Sequence, residues 1–185
     1  MRLILSFLFF GCAAQAQSFS KNLLTFSGGW ANQIGPSYES ESATSLGLTY
    51  GYRPSHYLEF EAGIQTALKP GPEIRGANYD FKPDDRYIWI PFGVRVIAPV
   101  AEDRVELSVG GGGLYQRYSI SNSGSGFFGF DPYNAWGGYG VASAAVALDR
   151  GRHFWLGASP RFFIANGESH RDRWVTITGE FGFRF

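Results

Sequence analysis

The sequence predicts an all-β chain: an eight-stranded antiparallel up-and-down barrel that crosses a membrane on its strands. Three observations carry this. Apolar and polar residues alternate with period two along eight segments between about residues 22 and 185. The faces opposite the apolar ones hold glutamate and arginine, and no helical pattern is available to cover so many apolar faces. The connections alternate as well, short ones followed by longer polar ones.

The chain opens on an address. Met1-Arg2 is a positive start, Leu3 to Phe10 is apolar, and Ala14-Gln15-Ala16 is the small-x-small pattern that signal peptidase needs. Cleavage after Ala16 would make residues 1–16 a signal peptide and 17–185 the barrel. The rival is lipoprotein processing at Cys12, which the two bulky residues of Phe9-Phe10-Gly11 fit poorly. Cys12 is the only cysteine, so the mature chain would hold neither disulfide nor thiolate metal site. Lys plus Arg and Asp plus Glu both number 16, so no basic excess points to nucleic acid. Beyond residue 16 the best apolar run, Val141 to Leu148, is broken by Ser143 and falls far short of the ~20 residues of a spanning helix.

The strands follow in order. The first, about 22–32, sets Leu24, Phe26 and Trp30 against Thr25 and Ser27. The second, about 42–52, sets Leu46, Leu48, Tyr50 and Tyr52 against Ser45, Gly47 and Thr49. The third, about 57–66, sets Leu58, Phe60, Ala62 and Ile64 against Glu59, Glu61 and Gln65. The fourth, about 86–97, sets Ile88, Ile90, Phe92, Val94 and Val96 against Arg95. The fifth, about 104–118, sets Val105, Leu107, Val109 and Tyr115 against Glu106, Ser108 and Gln116. The sixth, about 135–148, is rich in Ala and Gly, and its facing stays ambiguous. The seventh, about 153–165, sets Phe154, Leu156, Ala158, Pro160, Phe162 and Ile164 against Ser159 and Arg161. The last puts Val175, Ile177, Gly179, Phe181, Phe183 and Phe185 opposite Trp174, Thr176, Thr178, Glu180, Gly182 and Arg184.

Residues 53–56, 98–103 and 149–152 read as short turns, and 33–41, 67–84, 119–134 and 166–172 as mostly longer loops. Short turns on one side and long loops on the other are the habit of outer membrane barrels, whose turns are periplasmic. An even strand number leaves both termini on the turn side. Backbone groups in hydrocarbon must all be paired, and only closure achieves that for a sheet. A soluble lipocalin-like barrel would instead need the apolar faces inside, with Glu59, Glu61 and Arg95 outside.

The leader, the dyad strands over about 22–185 and the final strand WVTITGEFGFRF resemble the small eight-stranded outer membrane barrels of the OmpA transmembrane-domain and OmpX type. The resemblance implies an outer membrane location in a two-membraned bacterium, with outer membrane lipid and lipopolysaccharide as surroundings. It also implies the barrel assembly machinery as a partner, which in that family reads the terminal aromatic strand. Phe181, Phe183 and Phe185 would then be the assembly signal. No peptidoglycan-binding domain follows the last strand in this sequence, so the anchoring role of the longer OmpA proteins is not carried over.

For chemistry, the inward face would carry Glu59, Glu61, Arg95, Glu106, Arg161, Glu180 and Arg184 as a structural charge network. Arg95 and Glu106 flank the 98–103 turn at equal distances and are expected to face each other. Buried charges persist only when paired, and an eight-stranded interior is just wide enough for side chains to fill. Glu168-Ser169-His170 holds the residue types of a nucleophilic relay, but neighbours on an extended chain point opposite ways. The lipid A deacylase PagL carries a His-x-Ser-Asn motif that none of His56, His153 and His170 reproduces. Gly110 to Gly113 lacks the Gly-Lys-Ser/Thr of a phosphate loop and reads as close strand packing. Glu73, Asp84, Asp85 and Asp131 match no calcium spacing. Phe127, Phe128, Phe130, Tyr133 and Trp136 read as an interfacial girdle, and Trp30, Tyr87, Trp89, Trp155 and Trp174 need no special role. The expectation is a non-enzymatic protein with no cofactor and no metal, acting in envelope integrity or through its loops; a narrow solute channel is the alternative, and a lipid A-modifying enzyme a weaker one.

Overall fold

A computed structural model describes residues 20–34, 42–70, 74–76, 79–81, 83–122, 132–166 and 171–185. Its strands are β1 (Asn22–Gln33), β2 (Ser42–Ser55), β3 (Leu58–Pro70), β4 (Ile74–Gly76), β5 (Tyr79–Phe81), β6 (Pro83–Val100), β7 (Val105–Asn122), β8 (Tyr133–Ala147), β9 (Phe154–Asn166) and β10 (Arg171–Arg184). Eight of them close into one antiparallel up-and-down barrel, β1-β2-β3-β6-β7-β8-β9-β10 and back to β1. The seam runs from Leu23 opposite Arg184 to Gln33 opposite Trp174. Just beyond it, Asn22 and Phe185 exchange backbone hydrogen bonds of 3.2 and 3.0 Å, so the last residue is part of the closure. Closure leaves no free sheet edge, which is the condition for a sheet in hydrocarbon.

The alternation is resolved in one sense all round the wall. Glu59 and Glu61 are 2% and 4% exposed, while their strand neighbour Phe60 is 48% exposed. Val109 on β7 reaches 62%. A soluble barrel would show the reverse, so the lipocalin-like arrangement is excluded. Phe154, Phe181, Phe183 and Phe185 stack outside near the turn end, with centroids 5.3 to 6.1 Å apart. Trp30 and Trp136 stand outward on the loop side. Two aromatic levels of this kind bracket the apolar band of a membrane barrel. On β8 the ambiguity is settled: Ala135, Tyr139 and Val141 face inward, and Trp136, Ala142, Ala144 and Val146 outward.

Several boundaries differ from the sequence expectation. β6 and β7 each run 18 residues, well past 86–97 and 104–118. The expected 67–84 loop contains a small hairpin, with Ile74 opposite Phe81 and Gly76 opposite Tyr79. Residues 53–55 belong to β2, with an irregularity in pairing between Tyr52 and Ser55, so the turn is only His56 and Tyr57.

The β6–β7 turn corrects the expected pairing of Arg95 with Glu106. Ala101, Glu102 and Asp103 all take left-handed φ values of 48°, 56° and 61°, and the Arg104 amide donates to Ala101 O at 3.1 Å. The turn is thereby confined to 101–104, and Val100 pairs with Val105. Its centre lies two residues later than a 98–103 turn would put it, which sets Arg95 opposite Gly110 and Glu106 opposite Pro99.

Glycine shapes the interior by making room. A Cβ on Gly93 would sit 2.3 Å from Gly111 O and 2.7 Å from the Tyr139 hydroxyl. The run Gly110 to Gly113 is thus close strand packing: a Cβ on Gly112 would meet Phe92 O at 2.2 Å. Proline interrupts the ladder twice. Pairing of β3 with β6 skips the stretch at Pro91, between Ala62–Phe92 and Gln65–Trp89. Pairing of β8 with β9 skips the stretch at Pro160, between Val141–Arg161 and Ala144–Ala158. A proline has no N–H to offer a neighbour, which is why both gaps fall there.

Candidate functional site in the barrel lumen

The lumen is built in two layers. In the half nearer the turns, seven sequence-predicted residues point inward and are buried: Glu59, Glu61, Arg95, Glu106, Arg161, Glu180 and Arg184. An eighth, Arg53, joins them. With it the layer holds four glutamates and four arginines, and the formal charges cancel.

The pairs are specific. Arg53 is the hub: Nε donates to Glu59 at 2.6 Å, while Nη1 and Nη2 grip Glu106 in a fork of two 3.0 Å bonds. Arg184 also donates to Glu106, so that carboxylate serves two guanidiniums. Arg184 lies over the Trp155 ring, 3.8 Å from its centroid. Arg95 pairs with Glu61 at 2.6 Å, and Glu61 accepts the Tyr139 hydroxyl at 2.6 Å. Arg161 donates to Glu180 at 3.1 Å, with Ser159 donating to the same oxygen at 2.5 Å. Forked, charge-assisted bonds of this sort hold arginine better than lysine in a confined site.

Toward the loops the lumen turns aromatic. Trp89 stacks on Phe163 at 4.8 Å, and Trp174 lies 5.5 Å from Trp89 and 4.6 Å from Tyr87. Tyr118 continues the chain to Tyr133 at 5.0 Å. A fully bonded carboxylate stands among these rings. Buried Asp172 accepts from Gln116 at 2.7 Å and from the Tyr133 hydroxyl, and Gln116 in turn accepts the Trp89 indole N–H at 2.8 Å. Between the layers, Gln65 bridges to Ser45 at 2.8 Å and Thr176 at 3.3 Å. The amides partner some of the polar atoms between the rings, while the Trp174 indole N–H and Gln65 Oε1 have no hydrogen-bond partner among the described residues.

Arg53 and Asp172 were missed because the second strand was ended, and the last begun, a few residues inside its true limit. The signal was there: the inward parity of Ser45 and Thr49 extends to Arg53, and that of Trp174 and Thr176 extends back to Asp172. Tyr87, Trp89 and Trp174 share the parity of Arg95 and Glu180, and rather than being incidental they fill half the lumen. Tyr133 is half-buried and bonded inside, so it is not part of the expected girdle, whereas Trp136 faces outward.

Of the remaining expectations, Asp85 accepts the Tyr118 hydroxyl at 2.9 Å and lies 3.9 Å from Lys69. Glu73, Asp131, the Glu168-Ser169-His170 segment, Phe127 to Phe130 and the leader lie outside the described residues. Among the described residues no group of three or more His, Cys, Asp or Glu is placed to hold a metal ion.

Closed wall, apolar exterior and filled lumen define a class: the small eight-stranded membrane β-barrel. Solved structures similar to this chain are of that class. Neisserial surface protein A (NspA) superposes with a TM-score of 0.61 at 14% identity, over 89% of this chain and 97% of its own. Ail, the attachment invasion locus protein of Yersinia pestis, gives 0.59 at 14%, over 90% and 100%. The outer membrane protein OprG from Pseudomonas aeruginosa gives 0.57 at 15%, over 92% and 100%. At these identities the likeness is one of fold. No protein-family model and no curated protein matches the sequence.

Proposed function

We propose that the protein is a non-enzymatic outer membrane β-barrel of a two-membraned bacterium, exported on the 1–16 leader. Its role would be envelope integrity or surface interaction through the connections around 67–84 and 119–134. The observation that carries this reading is a barrel apolar outside and filled inside. The cavity within the charged layer is about 40 Å³, room for a water molecule or so. Above it the rings of Trp89, Trp174 and Phe163 are fully buried. Such a lumen favours a plug over a conduit.

The surroundings fit the reading. On the loop side the outward faces turn from apolar to basic at Arg86, Arg117 and Arg173, all exposed. Cations just above the apolar band suit the phosphates of lipopolysaccharide. Ail has been described in complex with the heparin analogue sucrose octasulfate. That makes sulfated glycans a reasonable first probe for the loops of this chain.

The test is conductance. Refolded protein inserted in a planar bilayer is expected to stay closed. A steady ion current would overturn the plug and put a narrow channel in its place. Lipid A mass spectra from cells with and without the protein are expected to coincide; a changed acyl count would establish an enzyme instead.

A further inference from the structure

The turn-side end of the lumen opens into a cavity of about 410 Å³, which adjoins the small one inside the charged layer at Arg53, Glu106 and Arg184. Arg53 and Arg184 line its inner part, and Arg150 and Arg152 belong to the turn that joins β8 to β9. Four arginines stand there against two lining carboxylates, Glu106 and Asp103. Glu106 is shared by Arg53 and Arg184, and Asp103 holds Arg152 at 2.9 Å. Arg150 is exposed and has no ion-pair partner among the described residues. A second observation bears on the same place: Arg184 lines the floor of the cavity, is nine-tenths buried, and bonds Glu106, a carboxylate that Arg53 also holds. Two guanidiniums on the one carboxylate that lines the floor leave positive charge in excess there, and converging guanidiniums are the usual recognition device for phosphate oxygens.

We propose that this mouth binds the phosphate group of a small anion or of a lipid headgroup on the turn side of the membrane, with Arg150 and Arg152 capturing it and the charge of Arg184 attracting it from below. The cavity is large enough for a phosphate with a short substituent and is lined mainly by polar atoms. Trp155 ties rim to floor: its indole N–H donates to Arg152 O at 2.7 Å while its ring carries Arg184. An anion drawn toward Arg184 must therefore change the surroundings of the Trp155 indole.

The refolded barrel in neutral detergent micelles, labelled with ¹⁵N, is titrated with inorganic phosphate while the indole and arginine Nε–H signals are followed; Trp155→Phe assigns the reporter. A saturable shift of the Trp155 and Arg184 signals is expected. Arg150→Gln with Arg152→Gln should raise the apparent Kd by about three- to tenfold, the range for two partly screened charges. These two turn residues lie outside the buried network, and Arg152 loses only a partly exposed pair with Asp103, so the variant keeps its fold and unaltered signals elsewhere verify that. If free phosphate gives no shift, nanodiscs of phosphatidylglycerol are compared with nanodiscs of phosphatidylcholine. A shift with the anionic lipid only, lost in the double variant, supports the site and assigns the phosphate to a headgroup. No shift in either arm, or shifts that the double variant leaves unchanged, would mean that water alone fills the mouth and would overturn the proposal. Neither result depends on whether the lumen conducts.

Discussion

Replacing Arg53 with alanine is the most informative single perturbation of this barrel. The guanidinium holds two carboxylates, Glu59 at 2.6 Å and Glu106 at 3.0 Å, and all three side chains are buried. Its loss is not symmetrical between them. Glu106 keeps Arg184, whereas Glu59 loses the cation bonded to it. Stranding one member of a buried pair costs about 3–5 kcal/mol. The mouth cavity reaches Arg53, so water admitted there lowers the expected cost to about 2–4 kcal/mol, on the order of a hundredfold in the folded-to-unfolded ratio. Arg53→Ala with Glu59→Gln should recover roughly half of the loss. Urea unfolding of the refolded protein in detergent, followed by tryptophan emission, measures each corner of the cycle. Arg95 and Glu106, which the strand register separates, should show a coupling within about 0.5 kcal/mol of zero. A strong Arg95–Glu106 coupling with none between Arg53 and Glu106 would refute the register of the β6–β7 hairpin and the network built on it.

Other outcomes follow from the same geometry. Gly93→Ala places a Cβ against Gly111 O and the Tyr139 hydroxyl and should destabilise by about 1–3 kcal/mol in urea; Tyr139→Phe in the same chain should relieve part of it. Deleting Phe185, or replacing Phe183 and Phe185 with serine, should lower the heat-modifiable barrel in the outer membrane fraction, since Phe185 closes the seam with Asn22; an undiminished level would remove these aromatics from assembly. Mass analysis of the mature protein should find Gln17 first, and a lipidated Cys12 would replace that reading. In the turn before β9, the Phe154 amide donates to Asp149 at 2.9 Å and holds its carboxyl below the usual aspartate range. A group with a depressed folded pKa stabilises above its unfolded pKa and ceases to as pH falls through the folded one. The protection of the Phe154 amide, with exchange corrected for its intrinsic pH dependence, should therefore fall on strong acidification, and Asp149→Asn should abolish that fall.

The outer face of the barrel was legible because membrane strands write the same contrast again and again: Phe60 between Glu59 and Glu61, Val94 and Val96 around Arg95. The eight-strand closure follows from that contrast and the alternation of connections. What escaped depends on positions where the alphabet is silent. Gly138, Gly140, Ala142 and Ala144 look alike from either side, so the facing of β8 had no contrast to reveal it. The β6–β7 turn uses Ala101, Glu102 and Asp103 in a conformation that glycine or asparagine usually announces, and its centre was misplaced by two residues as a result. Arg53 sits beside Pro54, which reads as a turn, and the strand continues past it nonetheless. The aromatic layer was visible as residues but not as a layer, because ring stacking across a lumen joins strands far apart in sequence.

The great length of β6 and β7 sets the reach of the molecule. At about 3.3 Å per residue, 18 residues extend roughly 60 Å, and a tilt near 40° leaves about 45 Å along the membrane normal. The apolar band accounts for about 25 Å of that, and on these strands it ends where Arg86 and Arg117 turn outward. Beyond those arginines about 10 Å more forms a braced pier, its two strands paired up to Pro83 and Asn122. It carries both strands past the apolar band on the loop side of the barrel. Anything that approaches the loop side of the barrel would meet this pier before the rim.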